Sequence, residues 1–345
     1  MASSFSLPRL PQKELSTVLL CMTHIDRIFY SLCSNKCKKS VMGLNLKALK
    51  LHVCFSNDFE MYLEFDDEEV KLITRPENNQ NPVLNLDARQ DLVVEPFPQN
   101  GITSWNYNSL SCYEWLVHCM EIYQIKIIDK VRLFLDNYIF DQVRRVLELP
   151  QIQIIMTDTD VSAELAHEIL SLHLQCKQVS ISVDSFGRTN RFGSMENLRK
   201  AIVQNVDNVC LRGNTLHFAL PLILDDILLT NASQLSLEDS KLSGKDLNRF
   251  LKIWIRSPMR RLKTLKVEIS NQLDLINNQI MRGIYHTAIA RKELEVKIKA
   301  YNYNAADCQK IRSGGFNIRS RDGRKATLSL TIGNQVSHVQ FFVWN

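Results

Sequence analysis

At 345 residues, with 45% apolar and 23% charged side chains, the chain has the composition of an ordinary globular protein, with room for two domains or for a small domain joined to an elongated array. A net charge of +5 helps solubility but is too mild to mark a nucleic-acid protein. Nine cysteines, scattered and odd in number, agree with a reducing compartment in which each acts as a small hydrophobe.

The first apolar run, Leu15 to Met22, follows Arg9, Lys13 and Glu14 and is not trailed by a small-residue cleavage site, so it does not read as a secretion signal. A second run, "FALPLILDDILL", is broken by Pro221 and by Asp225-Asp226 and cannot span a bilayer. The expectation is a cytoplasmic or nuclear protein with no membrane contact.

The first fifty residues read as three short helices. Pro11 suits the start of a helix, because its missing N–H would have had no partner there. Leu15, Val18, Leu19 and Met22 then share one helical face. Thr23-x-x-Asp26 reads as a capped restart, after which Ile25, Ile28, Phe29 and Leu32 repeat the spacing. A third helix is expected from Ser34, with Cys37 and Val41 inward. So small a unit buries little surface, and two Leu-Pro steps ahead of it read as partner-facing apolar surface.

The stretch "FSLPRLPQKELSTVLLCMTHIDRIFYSLCSNKCKK" resembles an F-box through Leu10-Pro11, Val18-Leu19, Met22, Asp26 and Ser31-Leu32-Cys33 followed by Lys36. Its doubled Leu-Pro opening and "SLCS" step are similar to the large nematode family of F-box proteins. Cys37 stands where many F-boxes carry a third-helix tryptophan. The resemblance implies docking on a Skp-family adaptor, and through it on cullin and RING subunits. The adaptor-binding residues expected are Leu10, Pro11, Leu15, Val18, Leu19 and Leu32.

Two strand-like pieces, "LKALKLHVCF" and "EVKLIT", come next. Residues 75–100, rich in Pro, Asn and Gln, read as a loop without a periodic apolar face. The expected divisions are therefore 1–45, 46–74, 75–100 and 101–345.

From residue 128 a phrase recurs: apolar, two residues, apolar, one residue, apolar. Its copies are read at Ile128-x-x-Val131-x-Leu133, Leu149-x-x-Ile152-x-Ile154, Cys176-x-x-Val179-x-Ile181, Val206-x-x-Val209-x-Leu211, Ala232-x-x-Leu235-x-Leu237 and Leu262-x-x-Leu265-x-Val267. A weaker copy, opened by Arg291, ends in Leu294-x-Val296. Amphipathic helices fit between them, with Val161, Leu165, Ile169 and Leu172 on one face and Leu247, Phe250, Leu251 and Trp254 on another; Ser243-x-x-Asp246 caps the latter. This spacing predicts an irregular leucine-rich-repeat-like β/α solenoid, with an ordinary doubly wound α/β domain as the competing architecture. Asp322-Gly323 between alternating runs predicts a tight hairpin, and with the strand ending "FFVW" a β cap. "RDGRKATLSL" with that aromatic ending also resembles the type-two F-box-associated domain of the same nematode family.

Catalytic motifs are not found. His167-Glu168 lacks a second ligand at Ser171, and His173 lies on the wrong face; Cys33 and Cys37 lack a matching pair, and Gly244-Lys245 lacks the upstream P-loop glycine. Asp66-Asp67-Glu68-Glu69 reads as a solvated turn, and Arg319, Arg321, Arg324 and Lys325 as a solvated hairpin. No enzymatic activity, cofactor or metal is expected, and nucleic acid is not an expected partner.

Two functions fit these features. The first is a substrate-recognition subunit of an SCF-type cullin–RING ubiquitin ligase. Its protein target would meet the outward strand residues Ser180, Ser182, Arg212, Glu238, Lys266 and Glu268, a set that a register slip of one would invert. The second is a stand-alone cytosolic interaction scaffold whose N-terminal helices only cap the array. In that case Leu10 and Pro11 would be buried near Leu46 to Leu51.

Overall fold

The structure, a computed structural model, describes residues 7–56, 58–75, 91–97, 103–104, 110–134, 140–149, 151–157, 169, 176–183, 199, 202–203, 205–213, 222–257, 259, 261–270, 279–301, 314–332 and 336–344. It is a mixed α/β protein in two compact units, Met1–Met156 and Thr157–Asn345.

The first unit opens with a short 3-10 turn, Leu7–Arg9, and three helices: α1 (Gln12–Leu20), α2 (His24–Leu32) and α3 (Asn35–Met42). Each begins where the sequence offers a start. Pro11 stands at the N-cap of α1, the Thr23 hydroxyl accepts the Asp26 N–H, and the Ser34 hydroxyl accepts the Cys37 N–H. Leu15, Leu19, Ile28, Cys37 and Val41 are their common core.

The strands β1 (Lys50–Phe55), β2 (Phe59–Glu64), β3 (Glu69–Arg75), β4 (Asp91–Phe97) and β5 (Thr103–Ser104) form an antiparallel meander. Helix α4 (Cys112–Ile122) carries the chain back to β6 (Ile128–Leu133), which pairs parallel with β1. Helix α5 (Phe140–Leu147) and β7 (Ile152–Thr157) follow.

Two expectations are corrected here. The segment read as a loop from 75 to 100 contains β4, paired along its length with β3. Its apolar run Leu92-Val93-Val94 is short, and Pro96, which has no amide to donate, lies past the residues that pair with β5. The second copy of the repeat phrase also sits three positions later than read. Ile152, Ile155 and Thr157 are buried, matching Ile128, Val131 and Leu133, whereas Ile154 is half-exposed. Gln151, at φ +63°, turns the chain just before that strand.

The second unit contains β8 (Gln178–Val183), β9 (Asn208–Gly213), β10 (Gln234–Ser240) and β11 (Thr264–Ser270), parallel neighbours in chain order. Between them lie α6 (Leu224–Leu229) and α7 (Gly244–Arg256). Helix α7 is launched by a capping box between Ser243 and Asp246. It buries Leu247, Phe250, Leu251 and Trp254, the last two aromatics meeting the Phe341 ring edge-on at 5.6 and 5.1 Å. At about 1.5–3 kcal/mol for each large side chain, this face dominates what holds the helix to the sheet.

After β11 the chain jumps to the far edge and returns as a meander: β12 (Thr287–Ile289), β13 (Gly315–Arg319), β14 (Lys325–Ile332) and β15 (Val336–Trp344), with β15 antiparallel against β11. The tight turn expected at Asp322-Gly323 is instead a five-residue loop, because Arg319 pairs with Lys325. Gly323, at φ +93°, supplies its left-handed residue.

The weak seventh copy of the repeat phrase is a helix, α8 (Arg291–Ala300). Its residues favour helix, and ion pairs Arg291–Glu295 at 2.7 Å and Lys297–Glu293 at 3.3 Å join successive turns. Leu294 and Ile298, one turn apart, pack with Ile289, Phe342 and Trp344. The helix thus lies on the sheet face opposite to α7, since Phe342 and Phe341 point to opposite sides.

Of the first amphipathic helix expected between strands, only Ile169 is described, fully buried; Val161, Leu165 and Leu172 lie outside the described residues, as do His167, Ser171 and His173.

Candidate docking surfaces

In the first unit the three helices are bonded to the strands and helix that follow. Arg27, buried on α2, donates from Nε to the Leu19 carbonyl at 2.8 Å and from Nη2 to the Leu20 carbonyl at 2.9 Å. A cation thereby satisfies the last carbonyls of α1, where the helix dipole favours it. Arg27 Nη1 also lies 3.1 Å from His24 Nδ1, which must then accept. The His24 ring stacks on Phe65 at 3.5 Å, and the Tyr123 hydroxyl donates to the His24 carbonyl at 3.1 Å.

The acidic turn read as solvated has a structural task here. Glu68 accepts the His24 N–H at 2.8 Å, at the start of α2, and Asp67 lies 3.5 Å from His24 Nε2. Burial, reinforced by Arg27, holds the His24 pKa below its ordinary value against the pull of Glu68 and Asp67.

Of the expected adaptor-binding residues, Leu15 and Leu19 are 1% and 0% exposed and belong to the helical core, not to its surface. Helical periodicity put them on one face with Val18; packing against α2 and α3 selects the inward part of that face. Pro11 is exposed, and Leu10 and Val18 are half-buried. The Pro8 carbonyl accepts from Lys36 Nζ at 2.9 Å, so the Leu-Pro hook is tied to α3. Leu20, 54% exposed, is an apolar surface residue that the sequence reading passed over.

Leu32 lines a cleft of about 530 Å³ with Ser31, Ser34, Lys38, Tyr113, Val117 and His118. Ser31 donates to the Ile28 carbonyl at 2.6 Å, which commits its proton, so it accepts from His118 Nε2 at 2.7 Å. Burial, then the charge of Lys38, pushes the His118 pKa down to about 4.

In the second unit, strand alternation sorts side chains between two faces. Val179, Ile181, Val209, Leu211, Leu235, Leu237, Leu265 and Val267 are buried. Ser180, Ser182, Arg212, Glu238, Lys266 and Glu268 point the other way, the face on which α8 lies. Registry places Ser182, Arg212 and Glu238 in one row, and Glu268 beside His338 in another pair.

These outward residues are knit together. Arg212 Nε donates to Glu238 at 2.5 Å, and His338 Nδ1 lies 2.9 Å from Glu268. Ser182 is buried, with its N–H given to Thr157 Oγ1 at 2.8 Å. Lys266 is half-buried between Ser236 and Gln340. Cys210, flanked by Ser180 and Ser236 in register, has its thiol pKa pushed up by burial and then by Glu238, so it is no ready nucleophile.

Among the described residues there is no group of three or more His, Cys, Asp and Glu side chains able to hold a metal ion, and no helix long and apolar enough to cross a membrane.

Residues 197–267 match the family model of an F-box associated domain, and that stretch runs through β9, α6, β10 and α7 into β11. It contains Arg212, Glu238 and Lys266. No curated protein and no solved structure matches the chain.

Proposed function

We propose that the chain is the non-catalytic substrate-recognition subunit of an SCF-type cullin–RING ubiquitin ligase, working in the cytoplasm or nucleus. The observation that carries this reading is the F-box associated domain at residues 197–267. Such a subunit acts by proximity: one surface holds the ligase, another holds the target, and the effective concentration of target lysines at the ligase rises. Its N-terminal helices would dock on a Skp-family adaptor through the residues left at the surface, Leu10, Pro11, Val18 and Leu32. The target would lie on the strand face around Arg212, Glu238, Lys266 and Glu268, an irregular leucine-rich-repeat-like surface.

A second reading keeps the chain as a stand-alone scaffold whose helices serve as a cap. The bonds from α2 to Glu68, His118 and Tyr123 favour it, since a cap must be fastened to its own chain. Against it stands the exposure of Pro11. Co-expression with a Skp-family adaptor decides between them: co-purification supports the receptor, and its failure with every adaptor tried supports the scaffold.

A further inference from the structure

We infer that a cleft in the first unit, walled by the chain entering β1 and by the turn from α4 into β6, binds a peptide segment of a protein partner that carries carboxylates beside an apolar side chain. The inference rests on unmatched lysines set around an apolar surface.

The cleft has a volume of about 410 Å³, within the range of ligand-binding pockets. Residues 47–51 form one wall and residues 123–127 the other, and Asp129 of β6 and Gln153 of β7 complete the lining. Hydrogen bonds fix both walls. Gln124 Nε2 donates to Asn45 Oδ1 at 3.0 Å, and these two residues share a left-handed φ of +53°. The Leu49 N–H reaches the Glu64 carbonyl at 2.7 Å, and the Ile125 N–H reaches the Met120 carbonyl at 2.8 Å. A ligand therefore meets a shaped site, and little ordering is required of the protein on binding.

Three lysines line the cleft, Lys47 and Lys50 from one wall and Lys126 from the other, against one carboxylate, Asp129. Asp129 is already engaged, accepting the Leu51 N–H at 2.9 Å, and Lys50 is matched by Glu64 at 2.8 Å. Lys47 and Lys126 are exposed and make no ion pair among the described residues. Apolar surface lies beside them: Leu49 is 54% exposed, and Ile125 and Ile127 are half-buried. Exposed lysines or an exposed leucine are each ordinary. Their convergence on one cleft is what defines a ligand, with negative charge for Lys47 and Lys126 and an apolar side chain for Leu49, Ile125 and Ile127. A peptide presents both at side-chain spacing. Nucleic acid fits less well, because the aromatic residue lining the cleft, Tyr123, is buried and gives bases no stacking surface, and Asp129 would face the phosphates.

The test measures fluorescence anisotropy of a labelled peptide of alternating glutamate and leucine with the full chain at low salt. Wild type is expected to bind with an affinity that falls as salt rises, and to bind oligoglutamate of equal length several-fold more weakly. Lys47→Glu with Lys126→Glu should weaken binding of the alternating peptide about tenfold or more. A control pair in the second unit, Lys245→Glu with Lys292→Glu, should leave it within about twofold, which separates this cleft from the chain's general positive charge. If the double reversal lowers the melting temperature, Lys47→Gln with Lys126→Gln is scored instead, and a several-fold loss is expected. No binding by wild type, no loss in the scored variant, an equal loss in the control pair, or oligoglutamate binding as tight as the alternating peptide would overturn the proposal. Tighter binding of a single-stranded oligonucleotide that loses affinity in the same variant would also overturn it and assign the cleft to nucleic acid. The adaptor takes no part in this readout, so its outcome is independent of the receptor reading.

Discussion

Ser31 Oγ and His118 Nε2 meet at 2.7 Å between α2 and α4, although 87 positions separate them in the chain. Both are buried, and the serine proton is already given to the Ile28 carbonyl. The bond therefore fixes the neutral Nε2–H tautomer of His118 and fastens the three-helix unit to the helix that feeds β6. With the Tyr123–His24 and His24–Glu68 bonds it makes those helices part of the first unit.

Ser31→Ala removes the acceptor and leaves a buried donor unsatisfied. The expected cost is about 1–3 kcal/mol. Chemical denaturation, followed by hydrogen exchange in α1 to α4, should show the loss concentrated in those helices.

Stability should also fall on the acid side. His24 and His118 have folded pKa values below the ordinary 6.5, in each case chiefly because burial opposes the charged form. Their neutral forms are favoured by folding, so the contribution is complete above 6.5 and is lost as pH falls from there toward about 4, where His118 itself titrates. For His118 this amounts to about 3 kcal/mol across the window. Denaturation midpoints measured through that range should drop in wild type and drop less in His118→Gln. An unchanged slope in the variant would contradict the assignment.

In the second unit, Leu294→Ala should cost about 2–5 kcal/mol, because Leu294 is fully buried against Phe342 and Trp344 on the face opposite α7. Amide exchange should accelerate in β14 and β15. Protection unchanged there would mean that α8 does not hold the end of the sheet.

Much of this architecture was legible from side-chain period and capping chemistry. Thr23, Ser34 and Ser243 each begin a helix because their oxygens answer amides that a first turn leaves orphaned, which is a purely local effect. The copies beginning at Cys176, Val206, Ala232 and Leu262 were readable because burial on one face leaves strict alternation in the strand.

The misreadings came where local signals were degenerate. Leu294, Val296 and Ile298 alternate as in a strand, yet Leu294 and Ile298 also fit one face of a helix, and only the ion pairs and the Phe342–Trp344 surface decide for helix. At the second copy Leu149, Ile152, Ile154 and Ile155 allow two alignments, and pairing with β6 is not visible in one strand's sequence. Leu15 and Leu19 share their periodic face with Val18, so periodicity alone cannot say which of them point inward. The Ser31–His118 bond and the Arg27 cap on α1 depend on partners brought together by the tertiary fold and had no sequence signature.

The central claim is that the N-terminal helices present a docking surface through the Leu-Pro hook. The most direct test is a binding isotherm between the full chain and a Skp-family adaptor, comparing wild type with a Leu10→Arg, Pro11→Arg variant. Because Pro11 is exposed and Leu10 only half-buried, the variant should keep the wild-type melting temperature while losing affinity by about a hundredfold, roughly 2.7 kcal/mol. Wild-type binding with an equally tight variant, or no wild-type binding at all, would contradict the account.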